Sequence, residues 1–189
     1  MIKLEMVFYL FPFCLAILEA QRAQSESYPL VHKVENFYPG KHDVYTGYIT
    51  VDEKSGSKLF YQIFSAMNKP ITAHAPLIVW IEGGPGGSSV FAIYEAMGPY
   101  DVIKEGVEFK LRVKNVTWND HNHFLFIDAP VRTGFSPGFG DYRVRSTVQA
   151  TENLLKFFEE FYKIPDFIHL KRTLSICLGR ALPAITFRC

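Results

Sequence analysis

The sequence predicts an α/β fold that begins with an antiparallel β-hairpin. Residues 77–81 (LIVWI) and 124–128 (FLFID) are almost entirely apolar, which is typical of strands buried on both faces of a parallel sheet. Residues 147–163 instead carry apolar side chains at helical spacing. Buried strands that alternate with a long amphipathic helix favour an α/β arrangement over an all-β one.

The hairpin is predicted from two β-rich segments that lie close together in the chain. Residues 44–51 (VYTGYITV) are rich in β-branched and aromatic side chains, and residues 58–65 (KLFYQIFS) are similar in character. Between them lie residues 52–57 (DEKSGS), whose Asp, Gly and Ser favour a turn. The two segments are therefore expected to pair as antiparallel strands.

A helix and a short last strand complete the predicted order. Five apolar side chains form the expected buried face of the helix: Val148, Leu154, Leu155, Phe158 and Phe161. The segment LSIC at 174–177 is expected to form a strand. The predicted order is hairpin, strand, glycine loop, strand, loop, helix and strand, without a repeat or an internal domain boundary.

Residues 1–20 are predicted to be a secretory signal peptide. Lys3 gives a positive start, residues 6–18 form an apolar segment of suitable length, and Ala20 is the small residue expected at a cleavage site. An apolar segment this short is not expected to span a membrane, which takes about 20 residues. The mature domain is therefore expected to be 21–189 and to be secreted or lysosomal. A buried N-terminal helix is the alternative interpretation of the same residues.

Composition and charge exclude several classes of protein. The chain is 48% hydrophobic and 15% aromatic, which suits a folded domain better than a disordered one. A net charge of +1 gives no indication of a nucleic-acid partner. Because the sequence has no CxxC motif and no clustered histidines, no metal site is predicted, and no cofactor is expected.

Two further features bear on passage through the secretory pathway. Asn115, Val116 and Thr117 form an acceptor sequon, so Asn115 is a candidate site of N-glycosylation. Cys177 and Cys189 are the cysteines outside the predicted signal peptide, and whether they pair stays open.

The strongest chemical signal is the loop EGGPGGSS at residues 82–89, directly after an apolar strand. It lacks the Lys that a phosphate-binding loop requires, and Pro85 has no backbone donor, so nucleotide binding is not expected. Glycines let a backbone approach a ligand closely, and backbone N–H groups fixed in such a loop can stabilise an oxyanion. The alternative is that these glycines only form a tight turn.

This loop resembles the signature of the serine carboxypeptidase family. Residues 80–89 (WIEGGPGGSS) are similar to the family's WLNGGPGCSS, and residues 126–136 (FIDAPVRTGFS) are similar to its IDNPVGTGFS segment. The motif YTGY at 45–48 resembles part of a strand pair of the family, and GRALPAI at 179–185 resembles the segment after its nucleophile. The resemblance runs from about residue 37 to 185, and Gly87 in place of Cys looks closest to the vitellogenic-like branch.

The resemblance implies an incomplete α/β-hydrolase sheet and an activity that removes C-terminal residues from peptides or proteins. In this family a Ser–His–Asp triad attacks the peptide bond while two backbone N–H groups bind the oxyanion. The resemblance places one of those N–H groups at Gly84. It places recognition of the substrate's terminal carboxylate at Glu82 and Gly83, so polypeptide C-termini are the expected partners.

Several positions depart from the family's pattern. Without gaps, the nucleophile position holds Ile176, and the nearby Ser175 lies within the predicted strand, so neither residue of this elbow region is expected to act as nucleophile. No Ser–His–Asp triad can be assembled, and the chain is expected to be inactive. Glu82 replaces an amide side chain and, when ionised, repels a terminal carboxylate. Ala129 and Arg132 replace Asn and Gly.

Three hypotheses are compatible with these residues. The first is an enzyme lineage represented by a truncated product, a spliced form or an imperfect gene prediction, whose open sheet edge makes the chain unstable or prone to aggregate. The second is a secreted protein that binds peptides without cleaving them. The third is an unrelated hydrolase that uses Ser88, Ser89 or Ser136, although Ser88 and Ser89 are rather expected to cap the next helix.

Overall fold

A computed structural model describes residues 31–173, except 85 and 96, together with the backbone of a strand at Ser175–Gly179. The predicted signal peptide and Cys189 lie outside the described residues. The strands are β1 (His32–Lys33), β2 (Val44–Asp52), β3 (Ser57–Phe64), β4 (Leu77–Ile81), β5 (Tyr100–Glu105), β6 (Glu108–Val113), β7 (His123–Asp128) and β8 (Ser175–Gly179). The helices are α1 (Ser89–Glu95), α2 (Thr147–Phe161) and 3-10 turns at Trp118–Asp120 and Ile168–Arg172. None of the helices in this part of the chain is both long and apolar enough to cross a membrane.

The main sheet is mixed. Among the described residues it has the strand order β1-β2-β3-β7-β4-β8. β2 and β3 form the antiparallel hairpin that the sequence predicts, with Val44 opposite Phe64. β3 also pairs antiparallel with β7, whereas β4 lies between β7 and β8 and is parallel to both. The predicted α/β class with an N-terminal hairpin is confirmed.

Side chains alternate between the two faces of the sheet, so each face has its own core. In β4, Leu77 and Val79 belong to one core, and Ile78 and Trp80 belong to the other. The first core is covered by α2, whose Phe157 is fully buried, and the second is covered by α1 and β5. Burial on both faces explains why the central parallel strands are apolar segments rather than alternating ones.

Helix α2 begins where the sequence predicts and ends at Phe161 rather than at 163. The hydroxyl of Ser146 accepts a hydrogen bond from the N–H of Gln149 at 3.2 Å and caps the first turn. The buried face differs from the prediction, because Val148 and Leu155 are 68% and 52% exposed. The helix therefore presents a narrower apolar face to the sheet than the sequence pattern indicates.

A second hairpin, β5–β6, lies in a region for which the sequence predicts no strand. Glu105 pairs with Glu108 around Gly106, which has a φ of +65°. Its strands are largely exposed, as at Phe109, so their composition lacks the regular alternation of a half-buried strand. The hairpin is anchored to the core through Tyr100, which is fully buried.

Candidate functional site

The glycine loop, residues 82–89, leaves the sheet at the carboxyl end of β4. Because β4, β7 and β8 are parallel neighbours, their carboxyl ends lie along the same edge. Trp80 pairs with Phe126 and Ile81 with Gly179, so the three strands end at a similar level. Open α/β sheets place their ligand sites outside such carboxyl ends. The loop therefore occupies a position suited to binding.

The backbone path of the loop requires glycine. Gly84 has a φ of +133° and Gly86 a φ of +93°, a region that residues with side chains rarely adopt. A Cβ on Gly84 would also lie 3.1 Å from the amide nitrogen of Gly87. A hydrogen bond of 3.0 Å from the N–H of Gly87 to the carbonyl of Gly83 closes the turn.

The amides of Gly84 and Gly86 are candidates for binding an anion. Both residues are exposed, whereas Gly83 is buried. The hydrogen bonds that join the described residues include none donated by the N–H of Gly84 or of Gly86. Backbone N–H groups held in a rigid loop can stabilise the negative charge that develops during acyl transfer.

Asp128, the last residue of β7, holds this loop in place. Its carboxylate is fully buried and accepts hydrogen bonds from the N–H of Ser89 at 2.6 Å and from the hydroxyl of Ser88 at 2.9 Å. Its other oxygen accepts from the N–H of Phe135 at 2.9 Å. One carboxylate thus joins the glycine loop to the segment that follows β7.

The segment after β7 approaches Asp128 closely because position 134 is a glycine. Gly134 has a φ of +52°, and a Cβ there would lie 2.1 Å from an oxygen of Asp128. Ser136 fixes the same segment, since its hydroxyl donates to the backbone carbonyl of Asp128 at 2.5 Å and accepts from the N–H of Phe60 at 2.8 Å. The segment is therefore held by both the main chain and the side chain of Asp128.

Glu82 begins the loop, and its side chain turns back toward β4. One carboxylate oxygen accepts a hydrogen bond from the indole N–H of Trp80 at 3.1 Å. The backbone N–H of Glu82 donates to the hydroxyl of Ser89 at 2.9 Å. The Glu82 side chain also lies beside Gly87, where a Cβ would come within 2.9 Å of its Cγ. Two positions that depart from the family's signature are therefore neighbours in space.

Arg132 adopts a backbone conformation that glycine usually occupies, with a φ of +74°. Its guanidinium donates hydrogen bonds to the carbonyls of Gly140 at 2.8 Å and Tyr142 at 3.2 Å. Gly138 leaves room for this side chain, since a Cβ there would lie 2.6 Å from Cγ of Arg132. The loop accommodates the substitution and directs the positive charge along the segment 138–142.

The serine hydroxyls at the loop make structural hydrogen bonds. Ser89 is fully buried and donates to the carbonyl of Ile127 at 2.5 Å, and Ser88 donates to Asp128. Their side chains therefore bond to β7, and the expectation that they cap α1 is wrong. In the described part of the chain no serine hydroxyl is hydrogen-bonded to a histidine.

Two of the histidines lie at the opposite edge of the sheet. His123 begins β7, is fully buried, and uses both ring nitrogens on backbone groups of Ala66 and Ala73. His42 precedes β2 and is hydrogen-bonded to the hydroxyl of Tyr100. Burial lowers the pKa of each imidazole. Both histidines serve the core rather than the glycine loop.

The two residues of the predicted elbow region lie within β8. Ser175 is opposite Leu77 and Ile176 is opposite Ile78, and the strand continues to Gly179. An extended strand differs from the sharp strand-to-helix turn that exposes a nucleophile in hydrolases. The structure therefore places the backbone of both residues before the edge at which the glycine loop lies.

The predicted glycan acceptor lies at the base of the second hairpin, just after β6. Asn115 is exposed in the bend that follows β6. Thr117 is 8% exposed, and its hydroxyl accepts a hydrogen bond from the N–H of Asn119 at 3.2 Å. The acceptor nitrogen is thus on the surface, while the threonine of the sequon is part of the fold.

The sequence motifs assign no role to Asp128. The available signal was its position, because an acidic residue that ends a strand parallel to β4 must lie at the same sheet edge as the glycine loop. Within residues 31–173, apart from 85 and 96, no group of three His, Cys, Asp or Glu side chains is placed to hold a metal ion.

Comparison with known proteins matches most of the chain to one family. The sequence model of the family described as serine carboxypeptidase matches residues 36–174. The vitellogenic carboxypeptidase of Aedes aegypti is 33% identical over 147 residues, which make up 77% of this chain and 28% of that protein. The probable serine carboxypeptidase CPVL of Homo sapiens is 36% identical over 150 residues, which make up 75% of this chain and 29% of that protein.

A solved structure has the same fold. The crystal structure of Kex1(Δ)p, a prohormone-processing carboxypeptidase from Saccharomyces cerevisiae, aligns with a TM-score of 0.64 and 26% sequence identity. The alignment covers 82% of this chain and 35% of that one. The sheet described here therefore corresponds to part of an α/β-hydrolase sheet, and the chain spans less than a third of the length of the two relatives named above.

Proposed function

Because the chain belongs to the serine carboxypeptidase family, we propose that its glycine loop binds the C-terminal ends of peptides and proteins. The observation that carries this proposal is the pair of N–H groups of the exposed residues Gly84 and Gly86, which donate to no other described residue. Such amides suit a carboxylate or the oxyanion formed from a peptide carbonyl. Their place at the carboxyl edge of β4 agrees with where sheets of this class bind ligands.

The first three residues of the loop each have a role in this proposal. Gly84 supplies an N–H to the oxyanion, and Glu82 and Gly83 lie beside the terminal group of the bound polypeptide. The hydrogen bond from Trp80 gives the carboxylate of Glu82 a fixed place at the start of the loop. An ionised carboxylate has no proton to donate to a second carboxylate and repels it. We therefore expect the charge of Glu82 to weaken the binding of free C-termini.

The chain on its own is proposed to bind polypeptide ends without hydrolysing them. Covalent catalysis requires a nucleophile activated by a neighbouring base. No serine hydroxyl in the described residues bonds to a histidine, and Ser175 and Ile176 lie within β8. In a protein of the relatives' full length, the same loop is proposed to stabilise the oxyanion while C-terminal residues are removed. The alternative is a secreted protein outside proteolysis, whose function at any chain length is to bind peptides without hydrolysing them.

Titration calorimetry with an acetylated peptide that ends in a free carboxylate tests this proposal. Gly84→Ala should weaken binding, because position 84 combines a φ of +133° with a Cβ contact of 3.1 Å to Gly87. Gly106→Ala is the control for adding a methyl group at a positive φ, since Gly106 has a φ of +65° and lies in open space at the tip of β5–β6. Equal affinities for Gly84→Ala and the wild type would contradict the proposal. Mass spectrometry of the same mixtures detects any cleavage.

The chain is also proposed to enter the secretory pathway through residues 1–20 and to carry a glycan on Asn115. Its destination is then the outside of the cell or a lysosome. Expression in a eukaryotic secretory host, followed by glycosidase treatment, should give a mobility shift that Asn115→Gln abolishes. Thr117→Ser is the control, because it keeps both the sequon and the hydroxyl that accepts from Asn119. A wild-type protein with no mobility shift would contradict glycosylation at this site.

A further inference from the structure

We propose that Asp128 is a positioning residue, whose carboxylate sets the direction in which the amides of Gly84 and Gly86 point. The effect of Asp128 on the binding of polypeptide ends rests on the proposed function. Its effect on the backbone concerns only Asp128 and the two segments that it joins. One oxygen accepts from the N–H of Ser89 at 2.6 Å, and the other accepts from the N–H of Phe135 at 2.9 Å. Each oxygen therefore holds a different segment.

The hydroxyl of Ser88 connects the two oxygens. It lies 2.9 Å from one carboxylate oxygen of Asp128 and 3.0 Å from the other. No lysine or arginine of the described residues forms an ion pair with this carboxylate, so its hydrogen-bond donors alone compensate for its complete burial. Loss of any of these donors or acceptors should therefore change the geometry of the whole cluster.

The hydrogen bond between Asp128 and Ser89 lies close enough in the chain to affect the backbone positions of the loop glycines. The hydroxyl of Ser89 accepts from the N–H of Glu82, and the N–H of Gly87 donates to the carbonyl of Gly83. The loop is thus a short closed turn whose two ends meet at Ser89. Since its glycines have few steric restraints of their own, a displacement of Ser89 is passed on to Gly84.

The segment after β7 forms the other side of the same site. A Cβ on Gly86 would lie 4.0 Å from the hydroxyl oxygen of Thr133, which places this segment beside the loop. Gly134 lets the chain pass within contact distance of Asp128. By holding both segments, Asp128 fixes the distance between the two sides of the site as well as the path of the loop.

Amide NMR spectra of the whole chain test the positioning role, because they report the backbone N–H groups of Gly84 and Gly86 directly. Asp128→Asn preserves the size of the side chain but replaces one acceptor with an amide nitrogen, which cannot accept from an N–H group. The variant should move both glycine resonances. It should also weaken binding of the carboxylate peptide by about tenfold or more.

Two further variants separate positioning from general stability. Ser65→Ala removes a buried hydroxyl that accepts from the N–H of Asp43 and donates to the carbonyl of Lys69, at the sheet edge opposite the glycine loop. It should therefore lower stability and leave both glycine resonances and peptide affinity unchanged. Ser88→Ala removes a single donor to the carboxylate. Ser88→Ala should move the same resonances in the same direction as Asp128→Asn, but by a smaller amount. If Asp128→Asn does not fold, Ser88→Ala tests the positioning role in its place.

Glycine resonances that stay in place in Asp128→Asn or in Ser88→Ala would overturn the positioning role. Equal movements in Ser65→Ala would overturn it as well, because they would show a general loss of structure. If the wild-type chain binds no carboxylate peptide while Asp128→Asn still moves the glycine resonances, the proposed function is wrong and the positioning role of Asp128 is supported.

Discussion

The side chain of Glu82 fills the space beside the α-carbon of Gly87. A Cβ on Gly87 would lie 2.9 Å from Cγ of Glu82 and 2.7 Å from the carbonyl oxygen of Gly83. The family's signature has an amide side chain where this chain has Glu82, and a cysteine where it has Gly87. The acidic side chain at 82 and the missing side chain at 87 are therefore parts of one local arrangement.

Gly87→Ala is expected to lower the free energy of unfolding by about 1 to 3 kcal/mol, because the added methyl group overpacks this space. In a Glu82→Ala background the cost should be smaller, since one of the two close contacts is gone. Chemical denaturation of the wild type, both single variants and the double variant measures the coupling. Additive costs would show that Glu82 does not restrict position 87.

Glu82→Gln is expected to raise the affinity for a peptide with a free C-terminal carboxylate by about tenfold or more at neutral pH, because it removes a like charge from the site. Glutamine keeps the length of the side chain, and its oxygen can still accept from the indole N–H of Trp80. A peptide that ends in a carboxamide is the control and should bind both proteins similarly. If the variant binds the carboxylate peptide no better than the wild type, Glu82 does not face the polypeptide end.

The stability of the fold is expected to fall as the pH drops below about 6.5, because His123 is buried in its neutral form. Its Nδ1 accepts from the N–H of Ala66 at 3.0 Å, and its Nε2 donates to the carbonyl of Ala73 at 2.8 Å. Burial is the main reason that the pKa of His123 is lowered. The hydrogen bond to Ala73 raises this pKa, whereas the nearby His169 and Lys69 lower it further. The unfolded chain therefore binds a proton at pH values where the folded chain does not, so stability is lost as the pH falls toward the folded pKa.

Denaturant titrations across this pH range measure the effect. Each such histidine contributes a slope of at most about 1.4 kcal/mol per pH unit. His42 adds to it, because burial lowers its pKa against the charge of Asp43. His123→Gln should be less stable at neutral pH and should show a flatter pH profile. A profile as steep as that of the wild type would mean that His123 is not responsible.

Arg132→Gly is expected to be more stable than Arg132→Ala by about 1 kcal/mol or more. Both variants lose the hydrogen bonds to the carbonyls of Gly140 and Tyr142. Only glycine also relieves the cost of a side chain at a φ of +74°. Thermal unfolding of the two variants side by side gives the difference. An alanine variant at least as stable as the glycine variant would indicate that this position is unstrained.

The sequence predicts best the elements whose side chains are nearly all buried. Strand β4 was predicted to the residue, because all of its side chains except Ile81 are buried. The hairpin β5–β6 was missed, because its mixed and largely exposed strands lack that uniformity. In α2, the pattern gave the helix but misplaced Val148 and Leu155, since periodicity does not show how wide a face the sheet covers.

The candidate site was predicted only in part, for a related reason. The glycines of the loop were found because unusual backbone conformations leave a mark on local composition. Asp128 was not found, because its role depends on the pairing of β4 with β7 and on partners 39 and 40 residues away in the chain. The contact between Glu82 and Gly87 likewise depends on how the loop closes, which residue types alone do not reveal.

The central claim, that the glycine loop binds the ends of polypeptides through its backbone, is tested most directly by the amide resonance of Gly84. This resonance should be followed while an acetylated peptide with a free C-terminal carboxylate is added to the intact chain. We predict that the resonances of Gly84 and Gly86 move and saturate at the Kd measured by calorimetry, while that of Gly106 stays in place. A peptide that binds and leaves the resonance of Gly84 unmoved would contradict the claim.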